Sequence, residues 1–380
     1  LGRAVADGVL DEAPLPAFII EVPKERQNGD YSTNVAMAGA KAFHKAPRVI
    51  AQAIVDRLDL ADTVFDRAEI AGPGFINFFL GNRFYAAVLE DLMAQGENYG
   101  RSDYGKGKRV LVEFVSANPT GPMHIGNARG GAIGDCLAAV LDWAGYDVQR
   151  EFYVNDAGNQ IEKFGCSLEA RYLQIFKGDE IEFPEDGYQG EDIKDLAKEY
   201  ADLNGDSLVN VSAEERKKAL VDYALPKNIK KMQADMEKYK IFYDKWFFES
   251  ELHKSGAVKA VVDLLTKKGL TYEKDGAVWY KNKEVLTQKL LKEGKSQKYI
   301  DNLELKDDVL IRQNGNPTYF TADIAYHKNK FDRGFTTLID VWGADHHGHV
   351  MRMKGAMDAI GYDGDKLNVV LMQLVKLVKD

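Results

Sequence analysis

Apolar and polar positions divide the chain into stretches of different period. Up to about Gly81, a strand-like FIIEVP is followed by the polar turn QNGDYSTN, a helical run from Val35 to Leu58 and a closing AEIAGPGFINFFL. Strand, helix and strand in that order predict a small α+β module over residues 1–81. A helical stretch from Asn82 to Gln95, stopped by Gly96 and followed by YGKGK, predicts a linker over residues 82–106. From Arg109 an apolar strand, a Gly/Pro loop, a long helix and a second strand predict a βαβ unit of a parallel sheet, and hence an α/β domain over residues 107–380. Its pattern is interrupted. Gly187 to Asp206 is acidic and polar, and EERKKALVDYALPKNIKKMQADMEKY follows with the mixed charges of a solvated helical face. An inserted helical subdomain is therefore expected at about residues 175–260. Strands and helices resume with KDGAVWY, DDVLIR, TYFTADIAYHKNKF, TTLIDVWG and the apolar NVVLMQLVKLV.

Composition narrows the class. With 380 residues, 45% hydrophobic and 29% charged, the chain is long enough for two or three cored units. No apolar run approaches the about 18 residues that a membrane span needs, and no signal peptide opens the chain, so a soluble, cytoplasmic protein is expected. The formal charge of −9 argues against broad, sequence-independent nucleic-acid binding while leaving room for local contacts. Cys136 and Cys166 stand outside any CxxC pair and are expected to be core thiols. The chain opens at Leu1 without methionine and stops at Asp380 just after an apolar run, as part of a longer protein would.

The strongest chemical signal is RVLVEFVSANPTGPMHIGNARGGAIGDCLAAVLDWAGYDV. Val110 to Val115 reads as a strand, Asn118 to Met123 as a loop, and His124 to Asn127 as the opening of a helix running to about Ala144. Gly121, Gly126, Gly130, Gly131 and Gly134 leave space for a ligand or another backbone, and helix-start amides suit phosphate oxygens. His124 and Asn127 can donate to charge developing on a phosphate; His124 can equally serve as a helix cap. No GxxxxGK[ST] or GxGxxG is present, which excludes a Walker-type ATPase and the dinucleotide fingerprint.

SANPTGPMHIGN resembles the adenylate-forming signature of class I aminoacyl-tRNA synthetases, whose short form is His-Ile-Gly-His; here Asn127 stands in the last position. The resemblance implies a Rossmann-type parallel-sheet catalytic domain and ATP contacts at Pro119, Gly121, His124, Gly126, Asn127, Gly343 and Asp345. A pocket for a planar cation needs carboxylates and neutral acceptors. Glu113 sits mid-strand, where an unpaired carboxylate would be costly, and requires a cationic partner, either a ligand or a protein Arg or Lys. Asp323, with Tyr319 one turn before it if the segment is helical, and Asp345, just after a strand, are further candidates; each aspartate could instead cap a helix.

These segments resemble the arginyl-tRNA synthetase family residue by residue. The resemblance implies that Glu113, Ser116 and Asn118 hold the amino acid, that Tyr319 and Asp323 read its α-amino and guanidinium groups, and that His346 also contacts it. His346, His347 and His349 could suggest a metal, but no partner stands at ligand spacing and none is expected. NGDYSTNVAM and AGPGFINFFL resemble the family's added N-terminal domain, with Phe75 and Asn77 in the positions that stack on and hydrogen-bond a D-loop base of tRNA; Phe75 could otherwise be core and Asn77 a turn cap. The implied activity is that of an arginine-tRNA ligase taking L-arginine, Mg-bound ATP and tRNA(Arg), with no tightly bound cofactor and as a monomer. A second phosphate-binding loop and a helical anticodon-binding domain would follow Asp380. The rival readings are a glutamyl-type class I synthetase, whose pocket should be cationic, and a catalytically silent tRNA-binding relative.

Overall fold

The computed structural model describes residues 1–14, 17–373, 375 and 378, apart from the side chains of Asp179 and Asp345. It divides into two compact units, Leu1–Gly100 and Arg101–Asp380.

In the first unit, α1 (Gly2–Ala6), α2 (Val35–Gly39) and α3 (Pro47–Val55) cover a four-stranded sheet. Its strands β1 (Ile20–Glu21), β2 (Tyr31–Thr33), β3 (Phe65–Ala71) and β4 (Phe75–Leu80) lie in the order β1-β2-β4-β3, with every pairing antiparallel. The run expected as one helix from Val35 to Leu58 is two helices. Pro47, which cannot continue a helix but suits its first turn, opens the second one after a turn through residues 40–46. Leu10, Phe43, Ile50, Ile54 and Ile76 form this unit's own core. The helix α4 (Asn82–Gln95) ends at Gly96, whose φ of 54° is easy for glycine alone.

The second unit is built on five parallel strands: β5 (Arg109–Glu113), β6 (Asp147–Val154), β7 (Lys245–Phe248), β11 (Thr337–Gly343) and β12 (Leu367–Met372). Their order is β12-β11-β5-β6-β7, the doubly wound arrangement in which the chain reverses direction across the sheet between β5 and β11. The long helix α5 (Ile125–Trp143) joins β5 to β6. NVVLMQLVKLV is strand as far as Met372; Leu374, Lys376 and Leu377 lie outside the described residues.

Between β6 and β7 come α6 (Asn159–Lys177), α7 (Glu191–Asn204) and α8 (Ala213–Lys238), which have a core of their own around Phe164, Leu168, Tyr172, Ile193 and Leu220. The helical subdomain thus starts before residue 175 and closes before residue 245, because KWFF is the sheet's edge strand β7. Four residues are too few to show a period in the sequence. After β7 follow α9 (Glu249–Lys254) and α10 (Ala257–Lys267). A second excursion then holds β8 (Thr271–Lys274), β9 (Ala277–Tyr280) and β10 (Asp308–Ile311) as an antiparallel sheet, with α11 (Asn282–Lys292) and α12 (Gln297–Asp301) between β9 and β10. The helices α13 (Tyr319–Asp332) and α14 (His347–Ile360) flank β11 in sequence.

Neither cysteine is a core thiol: Cys136 is exposed and Cys166 half-buried. Cys136 lies on α5, whose buried positions are Gly130, Gly131, Gly134 and Ala138, so the thiol falls on the other face.

Candidate active site

At the carboxyl end of β5 the backbone turns sharply. Val115 and Ser116 take left-handed φ values of 72° and 43°, which is uncommon for any side chain and especially for a β-branched one. The turn aims the Ser116 hydroxyl back at Glu113 Oε1, 2.8 Å away, while Ser116 Oγ accepts from the amide of Tyr153 on β6 at 3.2 Å. The loop is held from the helical subdomain as well, since the buried Asn228 of α8 donates its amide to the Pro119 carbonyl at 3.0 Å.

The loop then enters α5 through a reciprocal cap. His124 Nδ1 accepts from the Gly126 amide at 3.1 Å, and Asn127 Oδ1 accepts from the His124 amide at 2.9 Å. Two consequences follow. The Gly126 N–H is occupied by the cap, and a ring nitrogen that accepts cannot carry the proton, so Nε2 of His124 is the donor. Asn127 in turn keeps its amide N–H groups for another partner.

The glycines of α5 serve packing more than ligand access. A Cβ on Gly134 would lie 2.1 Å from Cγ of Phe114, one on Gly131 2.8 Å from Ile241, and one on Gly130 2.9 Å from Met372. They let the helix lie close against the sheet.

A cavity of about 1230 Å³ opens where β5, β6 and β11 end. It is lined by Ser116, Asn118, Gly121, His124, Asn127, Tyr319, Asp323 and His346 from among the residues singled out in the sequence. Pro119, Gly126 and Gly343 lie outside the lining: the first is buried and held by Asn228, the second is in the cap, and the third is the last residue of β11. The Asp345 side chain lies outside the described set. Tyr153, Asn155, Glu249, His253 and Arg312 also line the cavity, and no sequence motif announced them. Tyr153 and Asn155 could have been found from position alone, at the carboxyl end of a parallel strand. Burial raises the Glu249 carboxyl above the ordinary glutamate range despite its contacts with Tyr153 and His253.

Glu113 is not in the lining; its cationic partner is a lysine of the protein. Asp340 of β11, Glu113 of β5 and Glu151 of β6 stand in register across three adjacent strands and are nearly or wholly buried. The helix α13 neutralises this row. Lys330, itself 0% exposed, reaches Glu113 at 2.5 Å and Asp340 at 2.8 Å. Arg333 forks onto both oxygens of Glu151 at 2.5 and 2.8 Å, and the Tyr326 hydroxyl donates to the same carboxylate at 2.6 Å. Burial pulls the Lys330 ammonium down, but Asp340 and Glu113 together lift it above the ordinary lysine value. Asp340 is held down at about 2 because Lys330 and His327 outweigh the burial that would raise it. Glu113 is raised, with burial as the largest cause and Lys330 opposing.

In the first unit, Phe75 opens β4 and is half-buried, whereas Asn77 is only 4% exposed and accepts from the Ser32 hydroxyl at 2.7 Å.

A helix start with donors facing a cavity, placed where the chain reverses across a doubly wound sheet, is the arrangement of the nucleotide-binding class of α/β folds. Residues 88–377 match the family described as tRNA synthetases class I (R), catalytic domain, and residues 2–80 match the arginyl tRNA synthetase N terminal domain. The chain belongs to the arginyl-tRNA synthetase family. It is 53% identical over 382 aligned residues to an arginine–tRNA ligase of Acetivibrio thermocellus, covering 100% of this chain and 65% of the relative. A ligase of the same name from Caldanaerobacter subterraneus is 54% identical over 380 residues, covering 100% of this chain and 64% of the relative. A Campylobacter jejuni crystal structure provisionally described as an arginyl-tRNA synthetase superposes with a TM-score of 0.67 at 36% identity, over 79% of this chain and 62% of that one. The chain thus spans just under two thirds of the curated relatives it matches.

Proposed function

We propose that the protein containing this chain is an arginine-tRNA ligase. It activates L-arginine with Mg-bound ATP and transfers the arginyl group to tRNA(Arg). The carrying observation is that one cavity joins two chemistries. At one wall the His124 Nε2–H and the Asn127 amide are available to an α-phosphate; at another the carboxylates of Asp323 and Glu249 suit a guanidinium.

In the first step a carboxylate oxygen of arginine attacks the α-phosphorus, the bond to the bridging oxygen breaks, and pyrophosphate leaves. His124 and Asn127 donate to the charge that grows on the α-phosphate. In the second, a hydroxyl of the tRNA's terminal ribose attacks the adenylate's carbonyl carbon and AMP departs. Neither step needs a protein nucleophile.

Ser116 and Asn118 hold the amino acid from the β5 loop, with Glu113 acting through Ser116, while Tyr319 and Asp323 hold it from α13, and His346 completes the wall. Phe75 stacks on an unpaired tRNA base; Asn77, expected to hydrogen-bond that base, is instead buried with its side-chain oxygen on the Ser32 hydroxyl and shapes the strand beneath it. Of the described helices, none is long and apolar enough to cross a membrane, in keeping with action in the cytoplasm.

A glutamate-specific reading is disfavoured by the two acidic lining residues, although Arg312 also borders the cavity. The test is ATP–pyrophosphate exchange by the intact protein across a panel of amino acids, with and without tRNA. Exchange supported by arginine alone is expected, and exchange supported by glutamate would overturn the pocket assignment.

A further inference from the structure

Asp323 and Tyr319 are one turn apart on α13, and α14 reaches both from behind the cavity. His349 Nε2 lies 3.0 Å from Asp323 Oδ2. The Arg352 guanidinium is 2.9 Å from His349 Nδ1, donates to the Tyr319 hydroxyl oxygen at 3.2 Å, and donates to Asp308 Oδ1 on β10 at 2.9 Å. His349 and Arg352 are on the same face of α14, three residues apart. Neither His349, Arg352 nor Asp308 lines the cavity.

The donors and acceptors here admit one assignment. A guanidinium has N–H groups and no acceptor, so His349 Nδ1 receives a hydrogen bond through its lone pair. The ring proton is then on Nε2 and is given to Asp323. His349 is thereby an uncharged donor: it orients the carboxylate without cancelling its charge. Arg352 occupies a lone pair of the Tyr319 oxygen in the same way, which leaves the phenolic proton to donate elsewhere.

The positive charge of Arg352 stands behind the acidic wall, where it would compete for Asp323 if left alone. Asp308 answers it. Burial raises the Asp308 carboxyl and Arg352 opposes that rise, as a buried pair requires. With Arg352 balanced by Asp308 and His349 uncharged, the negative charge of Asp323 is left for the cavity. Among the described residues, the polar rings near His349 include Trp342, whose ring centre is 5.5 Å away, Tyr319 at 5.7 Å and His346 at 6.4 Å.

We propose that Arg352 is a positioning residue for the cation subsite. It fixes the His349 tautomer that aligns Asp323, holds the Tyr319 hydroxyl, and is itself neutralised by Asp308. The inference rests on the reading of Asp323 and Tyr319 as arginine-binding.

The test uses the intact protein and three substitutions read in parallel by arginine-dependent exchange. Arg352→Met keeps the aliphatic stem; the KM for arginine is expected to rise roughly tenfold while the KM for ATP is unchanged. Asp308→Asn leaves the guanidinium unbalanced, and a several-fold rise in the same KM is expected although the residue is outside the cavity. An unchanged arginine KM in both overturns the inference. Asp323→Asn tests the underlying reading separately: if it too leaves the arginine KM unchanged, that reading falls, and if it alone raises it, only the role of Arg352 falls. Should Arg352→Met fail to fold, Asp308→Asn and a spectrum of the unmutated protein decide. Among the seven histidines of the 15N-labelled protein, the ring signals lost in His349→Gln should show Nδ1 unprotonated and Nε2 protonated. The opposite tautomer, or a doubly protonated ring, would overturn the assignment.

Discussion

Asp323 has one carboxylate oxygen held by His349 and lies in the cavity wall, so the amide isostere keeps its shape while removing its charge. The cost to a bound guanidinium is that of losing a charge-assisted hydrogen bond, about 1.5–3 kcal/mol, and the arginine KM of Asp323→Asn should rise by roughly 10- to 100-fold with ATP binding untouched. Ser116 is different, because its hydroxyl joins Glu113 to the Tyr153 amide. Ser116→Ala would strand a buried glutamate oxygen and a strand-end amide. It is expected to lower both exchange activity and stability, the latter by about 1–3 kcal/mol in urea unfolding. His124, Asn127 and Ser116 could be singled out in the sequence because they stand in and around the loop that enters α5, and Asp323 because it falls one helical turn after Tyr319 on α13. Glu113 was legible only as a carboxylate in need of a cation. Its partner, Lys330, is 217 residues away, and no local pattern carries that distance. Glu249 and Arg352 were silent for the same reason, since only packing of α9 and α14 brings them near the cavity, whereas Tyr153 could be found only from its place at the end of β6.

Among the elements, the α5 helix shows most directly how packing and chemistry are joined. Its glycine face lets Phe114 of the β5 strand end press into the helix, and this contact sets where the capped start of α5 stands. Gly134→Ala puts a methyl group 2.1 Å from a ring carbon, so either the helix or Phe114 must move. Overpacking of this kind costs about 1–3 kcal/mol or more, and the displaced helix start should also raise the KM for ATP; thermal melting and exchange kinetics measure the two effects. The period of apolar residues was sufficient to foresee α4, α5 and most sheet strands. It was insufficient for β7, where KWFF is too short to show alternation, and for the break between α2 and α3, where only Pro47 marks the new start. The helical subdomain was recognisable by its charge, but its hold on the signature loop through Asn228 was not, because the partner is a backbone carbonyl.

On the scale of the whole chain, the acidic row across β11, β5 and β6 makes the second unit's stability depend on acid in a defined sense. Asp340 is lowered from 3.8 to about 2 on folding, so its contribution is present above about pH 4 and disappears as pH falls toward 2. By linkage it is worth about 2 kcal/mol. Glu113, raised from 4.5, acts oppositely: its contribution is present below that value and is lost as pH rises above it. Urea unfolding between pH 5 and pH 2 should show the Asp340 loss in the unmutated chain and not in Asp340→Asn. Lys330→Met removes the cation that two buried carboxylates share, and a loss of about 3–5 kcal/mol is expected by the same measurement. The bond from Asn228 to the Pro119 carbonyl has a different outcome, in time rather than in energy. The two residues are 109 positions apart, so during synthesis the signature loop is finished long before the helix that clasps it has emerged. Closing so wide a loop is slow compared with forming α5 or α8 alone, so the clasp on the signature loop is expected to form after both helices.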